Sequence, residues 1–107
     1  MTLREFQALI REMYHDKDAA RGVEGTFMWL TEEIGELATA LRTHASGDAS
    51  HDTKEELSLE FADVLAWLAT IANVVDVDLE AAVERKYGTG CPGCGKRACV
   101  CPDAEKP

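Results

Sequence analysis

Apolar residues recur along this chain at helical intervals, and the pattern predicts four helices. In the first, from about Thr2 to Ala20, Leu3, Phe6, Ile10 and Met13 step by three and four, which lines one face of an α-helix. Gly22 is a stop signal. The second runs from about Thr26 to Ala45 with Phe27, Leu30, Ile34, Leu37 and Leu41 on one stripe, and Ser46-Gly47-Asp48 follows as a polar loop. The third opens at Thr53, where Thr53-Lys54-Glu55-Glu56 matches a capping box, and carries Leu57, Phe61, Val64, Leu68, Ile71 and Val75. After a break at Val75-Asp76-Val77, Asp78 caps a fourth helix that ends at Tyr87, before Gly88 and Gly90. No strand-like alternation and no internal repeat is present. The expected fold is an all-α, four-helix bundle over residues 1–87, followed by an irregular Cys-rich tail over 88–107.

The 107 residues suffice for one core, and 46% apolar composition argues against global disorder. Twenty acidic against eleven basic residues give a formal net charge of −9. Such a chain repels phosphate polymers, because nucleic-acid affinity comes largely from Lys and Arg neutralising phosphates. A small phosphorylated ligand remains compatible if divalent cations bridge the like charges. No run approaches the roughly 18 consecutive apolar residues of a membrane span, and Met1 to Met13 is charged and amphipathic, unlike a secretory signal. These features predict a cytoplasmic protein with neither a nucleic-acid polymer nor a membrane as partner. The short helices predict a homodimer or homotetramer, since a monomer of this size buries little surface.

The acids are not scattered evenly. An α-helix advances about 100° per residue, so with Leu30 at the centre of the second stripe, Glu33 lies about 60° to one side and Glu36 about 120° to the same side. With Leu57 at the centre of the third stripe, Glu60 and Asp63 fall at the same offsets in the same sense. A lone acidic pair is usually a solvated face. Two pairs with matched offsets, each beside a core stripe, could instead form a four-carboxylate cup between facing helices. Mg²⁺ favours such oxygen donors and keeps positions open for phosphate. Trp29 precedes Glu33 by one turn and Trp67 follows Asp63 by one turn, so each stands on the shoulder of its pair. Either ring could fill a core or interface, or offer a flat face to a nucleobase.

Thr31-Glu32-Glu33-Ile34-Gly35-Glu36-Leu37 and Glu60-Phe61-Ala62-Asp63-Val64-Leu65 resemble the EExGEL and ExxDVL motifs of MazG-like pyrophosphohydrolases. Ala72-Asn73 and Val77-Asp78-Leu79-Glu80-Ala81 resemble the segment that follows them, so the likeness covers roughly residues 3 to 87. It implies an oligomeric, all-α, Mg²⁺-dependent enzyme (Mn²⁺ as an alternative) that splits a nucleoside triphosphate into monophosphate and pyrophosphate, a nucleotide-pool house-cleaning activity. By the same resemblance Glu33, Glu36, Glu60 and Asp63 are metal ligands and Glu32 is the water-activating base. The resemblance also makes Trp67, Asn73 and Lys86 substrate contacts, with a structural Asn at the end of the helix as the other reading of Asn73, and Trp29 joins them from its place on the helix shoulder alone. Alternatives are a phosphoribosyl-ATP or dUTP/dCTP-type pyrophosphatase, or a non-enzymatic binding module acting through its tail.

That tail holds every cysteine. Cys91-Pro-Gly-Cys94 followed by Cys99-Val-Cys101 supplies four thiolates suited to a closed, structural Zn²⁺ site, in preference to a reactive or disulfide-forming segment. His15, His44 and His51 lack ligand spacing and are expected to be exposed polar residues.

Overall fold

The computed structural model describes residues 1–47 and 52–102; Asp48, His51 and the end of the tail lie outside them. Three helical elements are present and no strand among the described residues: α1 (Leu3–Ala45), α2 (Thr53–Val74) and α3 (Leu79–Tyr87). All four expected stretches are helical, but the first two belong to one element. The residue that divides them is Gly22, at φ 80° and ψ −178°, a conformation open essentially to glycine alone. A single residue absorbs the change of direction, so the helix resumes before Thr26 and no loop is needed. Thr26, fully buried, closes the break by donating from Oγ1 to the Gly22 carbonyl at 2.6 Å.

The arm of α1 after Gly22 pairs with α2 as an antiparallel hairpin, since Trp29 meets Trp67 while Glu36 and Glu33 meet Glu60. The arm before Gly22 returns to the C-terminal end of α2 and is latched there. Gln7 Nε2 donates to Asn73 Oδ1 at 3.0 Å and to the Val77 carbonyl at 2.7 Å, and Gln7 Oε1 accepts from the Leu79 amide at 2.9 Å. Asn73 Nδ2 returns a bond to the Gln7 carbonyl at 3.2 Å. Arg4 pairs with Asp78 and Glu80, an exposed contact that stabilises little.

Caps explain the ends. Thr2 and Glu5 form a full capping box at the start of α1. Asp78 caps α3 as expected, accepting from the Ala81 amide. At α2 the cap is Asp52, accepting from the Glu55 amide, and not Thr53. Thr53 is the first helical residue, and its hydroxyl lies 2.9 Å from His44 Nδ1, so exposed His44 has a partner the sequence reading did not foresee.

Among the described residues, Ile10, Leu30, Leu57, Ala69 and Ala72 are the buried apolar ones, a small core. Met13, Phe27, Ile34, Leu41, Phe61, Leu68 and Val75, all expected to face inward, are exposed in the single chain. The reason is geometric: three helical elements do not surround any one of them, so part of each wide apolar stripe is left uncovered. By length and hydropathy α2 is also long and apolar enough to cross a membrane, with 22 residues at hydropathy 1.4. The count of consecutive apolar residues missed this because Glu60 and Asp63 interrupt the run. Both acids lie on the side of α2 that faces the carboxylates of α1.

Candidate active site

The matched wheel offsets translate directly into burial. Leu30 and Leu57, the two stripe centres, are each 7% exposed. Glu33 and Glu60, about 60° away, are half-buried, whereas Glu36 and Asp63, about 120° away, are exposed. The helices therefore graduate their acids from the edge of the core to the water. Carboxylate oxygens of Glu33, Glu36 and Glu60 all lie within 4.8 Å of one another. Asp63 stands outside that tightest group but close enough for its charge to act on Glu33 and Glu60.

This arrangement is electrostatically uncomfortable for the protein alone. Burial, then the neighbouring charges of Glu36 and Asp63, push the Glu33 carboxyl above its ordinary value. The same causes in the same order raise Glu60. Glu33 Oε2 and Glu60 Oε2 are buried and have no hydrogen-bond partner among the described residues. Orphaned carboxylate oxygens cost free energy unless a donor or cation meets them. Two such oxygens facing a shared like-charge centre fit a hard divalent cation. Glu32, one residue before the cluster, is exposed and lies outside it.

A cleft of ≈ 360 Å³ opens beside the acids, lined by Glu36, Thr39, Thr43, Thr53, Glu56 and Glu60. Glu56 is a lining acid that the sequence reading passed over. Its spacing carried the signal, since Glu56, Glu60 and Asp63 step by four and three along one face of α2.

At the other end of the cluster Trp29 and Trp67 stack, with ring centroids 5.8 Å apart and planes 13° from parallel. Trp29 keeps 46% of its surface exposed and Trp67 is half-buried. The Arg21 guanidinium lies over Trp67, 4.9 Å from the ring centroid, and is held by Asp18 at 3.0 Å. Asp18 is 3% exposed, and Gly25 leaves the space through which the Arg21 stem passes, where a Cβ would come within 2.9 Å. Asp18 and Arg21 were also missed. An i,i+3 Asp–Arg pair beside a helix-breaking glycine was the legible hint.

The two remaining predicted contacts are not brought to the acids. Asn73 is ten residues beyond Asp63, about 15 Å along the helix axis, and its amide is engaged by Gln7 and Arg11. Lys86 sits on the exposed α3, its Nζ 5.5 Å from the Tyr87 ring centroid.

The cysteines form a second, separate cluster. Cys91, Cys94, Cys99 and Cys101 are all free and have sulfurs within 4.8 Å of one another, so this group could hold a metal. Backbone amides of Val100 and Lys96 bring the Cys94 thiol down to about 6, while hydrogen bonding to Cys99 and burial push Cys101 up to about 12.

A search of curated proteins returned no match. The family comparison did: the MazG nucleotide pyrophosphohydrolase domain matches residues 21–94, a span that holds Glu33, Glu36, Glu60, Asp63 and both stacked tryptophans. With that match across most of its length, and an all-α fold that gathers the acids of both motifs, the chain belongs to the MazG nucleotide pyrophosphohydrolase family.

Proposed function

We propose that this protein hydrolyses nucleoside triphosphates between the α- and β-phosphates, with Mg²⁺ as cofactor and Mn²⁺ as a substitute. One observation carries this reading: acids from two helices converge within 4.8 Å and leave two buried oxygens without partners. Glu33, Glu36, Glu60 and Asp63 would hold the cation. When bound, Mg²⁺ supplies the positive charge that lets a triphosphate approach this acidic face. Glu32, exposed beside the ligands, takes the proton of the attacking water. Water adds to phosphorus, the bridging P–O bond breaks, and pyrophosphate leaves with its electron pair. The exposed face of Trp29 stacks on the nucleobase, with Trp67 behind it and Arg21 steadying Trp67. Asn73 is read as a latch, because its amide is already bonded, while for Lys86 only the family resemblance supports a phosphate contact.

The working unit is proposed to be a homodimer or homotetramer in which a second copy completes the bundle. Phe27, Met28, Ile34, Leu59 and Phe61, all at least half exposed on the hairpin, support this. Residues 1–87 would be the catalytic unit and 88–107 its appendix, in a cytoplasmic protein.

The test is a product assay with Mg²⁺ and a panel of nucleoside and deoxynucleoside triphosphates, dUTP and dCTP among them, plus phosphoribosyl-ATP. The expected result is monophosphate and pyrophosphate, absent in Glu36→Ala at unchanged helix content. Diphosphate plus phosphate would overturn the bond assignment, and turnover of phosphoribosyl-ATP alone would move the substrate class.

A further inference from the structure

The thiolate cluster stands apart from the carboxylate cup, and its geometry can be checked against one number. A tetrahedral centre with Zn–S bonds of about 2.3 Å has sulfur–sulfur edges of about 3.8 Å. Cys91 Sγ lies 3.5 Å from Cys99 Sγ and 3.8 Å from Cys101 Sγ, and no pair among the four exceeds 4.8 Å. A disulfide would need about 2.05 Å. The sulfurs are thus spaced as the corners of a cage, too far apart for bonds between them and too close for a cluster with bridging sulfides.

The backbone is shaped around the same cage. Gly95 at φ 73° turns the chain after Cys94, and its amide bonds the Cys91 carbonyl at 2.7 Å. The Cys91 amide returns a bond to the Lys96 carbonyl at 2.9 Å, and a Cβ at Gly90 would lie 2.8 Å from that carbonyl. Amides of Gly93 and Cys94 point at Cys91 sulfur, those of Lys96 and Val100 at Cys94 sulfur, and that of Cys101 reaches Cys99 Sγ at 3.4 Å. Amide donors around sulfur orient and stabilise ligating thiolates. Apolar packing contributes little here: among the described residues of the tail none is both apolar and buried, and Val100 is 63% exposed.

We infer that Cys91, Cys94, Cys99 and Cys101 bind one zinc ion in a closed, four-sulfur site whose occupancy folds the tail. Zinc fits better than iron, because a ligand as exposed as Cys99 leaves the site open to solvent oxidants, to which a redox-inert ion is indifferent. With no open coordination position, the ion's role is structural. This inference stands independently of the pyrophosphohydrolase reading.

The test is elemental analysis of untagged full-length protein after exhaustive dialysis, alongside the Cys94→Ser, Cys99→Ser and Glu36→Gln variants. About one zinc per chain is expected in the wild type and in Glu36→Gln, and a loss of most of it in both cysteine variants. Cobalt substitution should give the intense thiolate-to-metal absorption of a tetrahedral sulfur site. Trypsin should cut after Lys96 and Arg97 only once a chelator has removed the metal. Iron in place of zinc, zinc retained in both cysteine variants, or tail cleavage indifferent to the chelator would each overturn the assignment.

Discussion

The protein gathers acids and thiols by different means. The acids ride on two helices at intervals of three residues, so helix geometry places them and the packing of Leu30 and Leu57 sets their depth. The thiols ride on a short loop with no apolar support, so turn glycines and amide–sulfur bonds place them instead. The helical cluster keeps exposed members, Glu36 and Asp63, on its solvent side. The loop cluster encloses its own centre. An open site suits catalysis, and a closed one suits structure.

Breaking the open site has the largest expected effect. On the proposed role of Asp63 as a cation ligand, Asp63→Ala should lower kcat/KM by at least about 100-fold, through several kcal/mol of lost charge stabilisation, while the zinc content stays unchanged. Steady-state kinetics with elemental analysis on one preparation checks both halves. Breaking the scaffold comes next. Gly22→Ala should destabilise the fold by about 1–3 kcal/mol in denaturant titration, through backbone strain alone, because no atom lies within 4 Å of the new methyl group. Asn73→Ala should cost a similar amount, about 1–3 kcal/mol, by leaving buried Gln7 groups unpaired. If it abolished turnover without loss of stability, Asn73 would return to the substrate contacts. Trp29→Ala should raise KM roughly tenfold with a smaller effect on kcat, the loss of one stacked base.

The smallest effect is the most specific to the comparison. Glu33 and Glu60 have raised folded-state values, so in the metal-free protein their ionisation opposes folding. Thermal stability should rise as pH falls through the window between their raised folded values and the ordinary glutamate value. Below that ordinary value the effect is complete. Saturating Mg²⁺ should flatten or reverse the slope, and a metal-free profile without any slope would contradict the electrostatic account.

Much of this was legible in the sequence because helices obey a fixed period. The wheel offsets of Glu33, Glu36, Glu60 and Asp63 reappear as graded burial, and Asp78 and Gly22 mark the boundaries that their chemistry suggests. What was not legible depends on neighbours. Phe61 and Ile34 belong to apolar stripes, yet periodicity does not say how much of a stripe one partner covers. The spacing of Asp18 and Arg21 is local and could have been read, but the seat of Arg21 over Trp67, forty-six residues away, is a long-range contact that local spacing does not encode. The cap at α2 is Asp52, and the Thr53 hydroxyl instead meets His44 across the loop, a contact that spacing does not show.

The central claim is that the helix-borne acids bind the cation through which triphosphate cleavage proceeds. Its most direct test measures Mn²⁺ binding by electron paramagnetic resonance and pyrophosphate release on the same samples of wild type and Glu60→Gln, a change that keeps shape and removes charge. The account predicts that the variant loses both together, with the fold and the zinc content intact. Undiminished pyrophosphate release by a variant that no longer binds Mn²⁺ would contradict it.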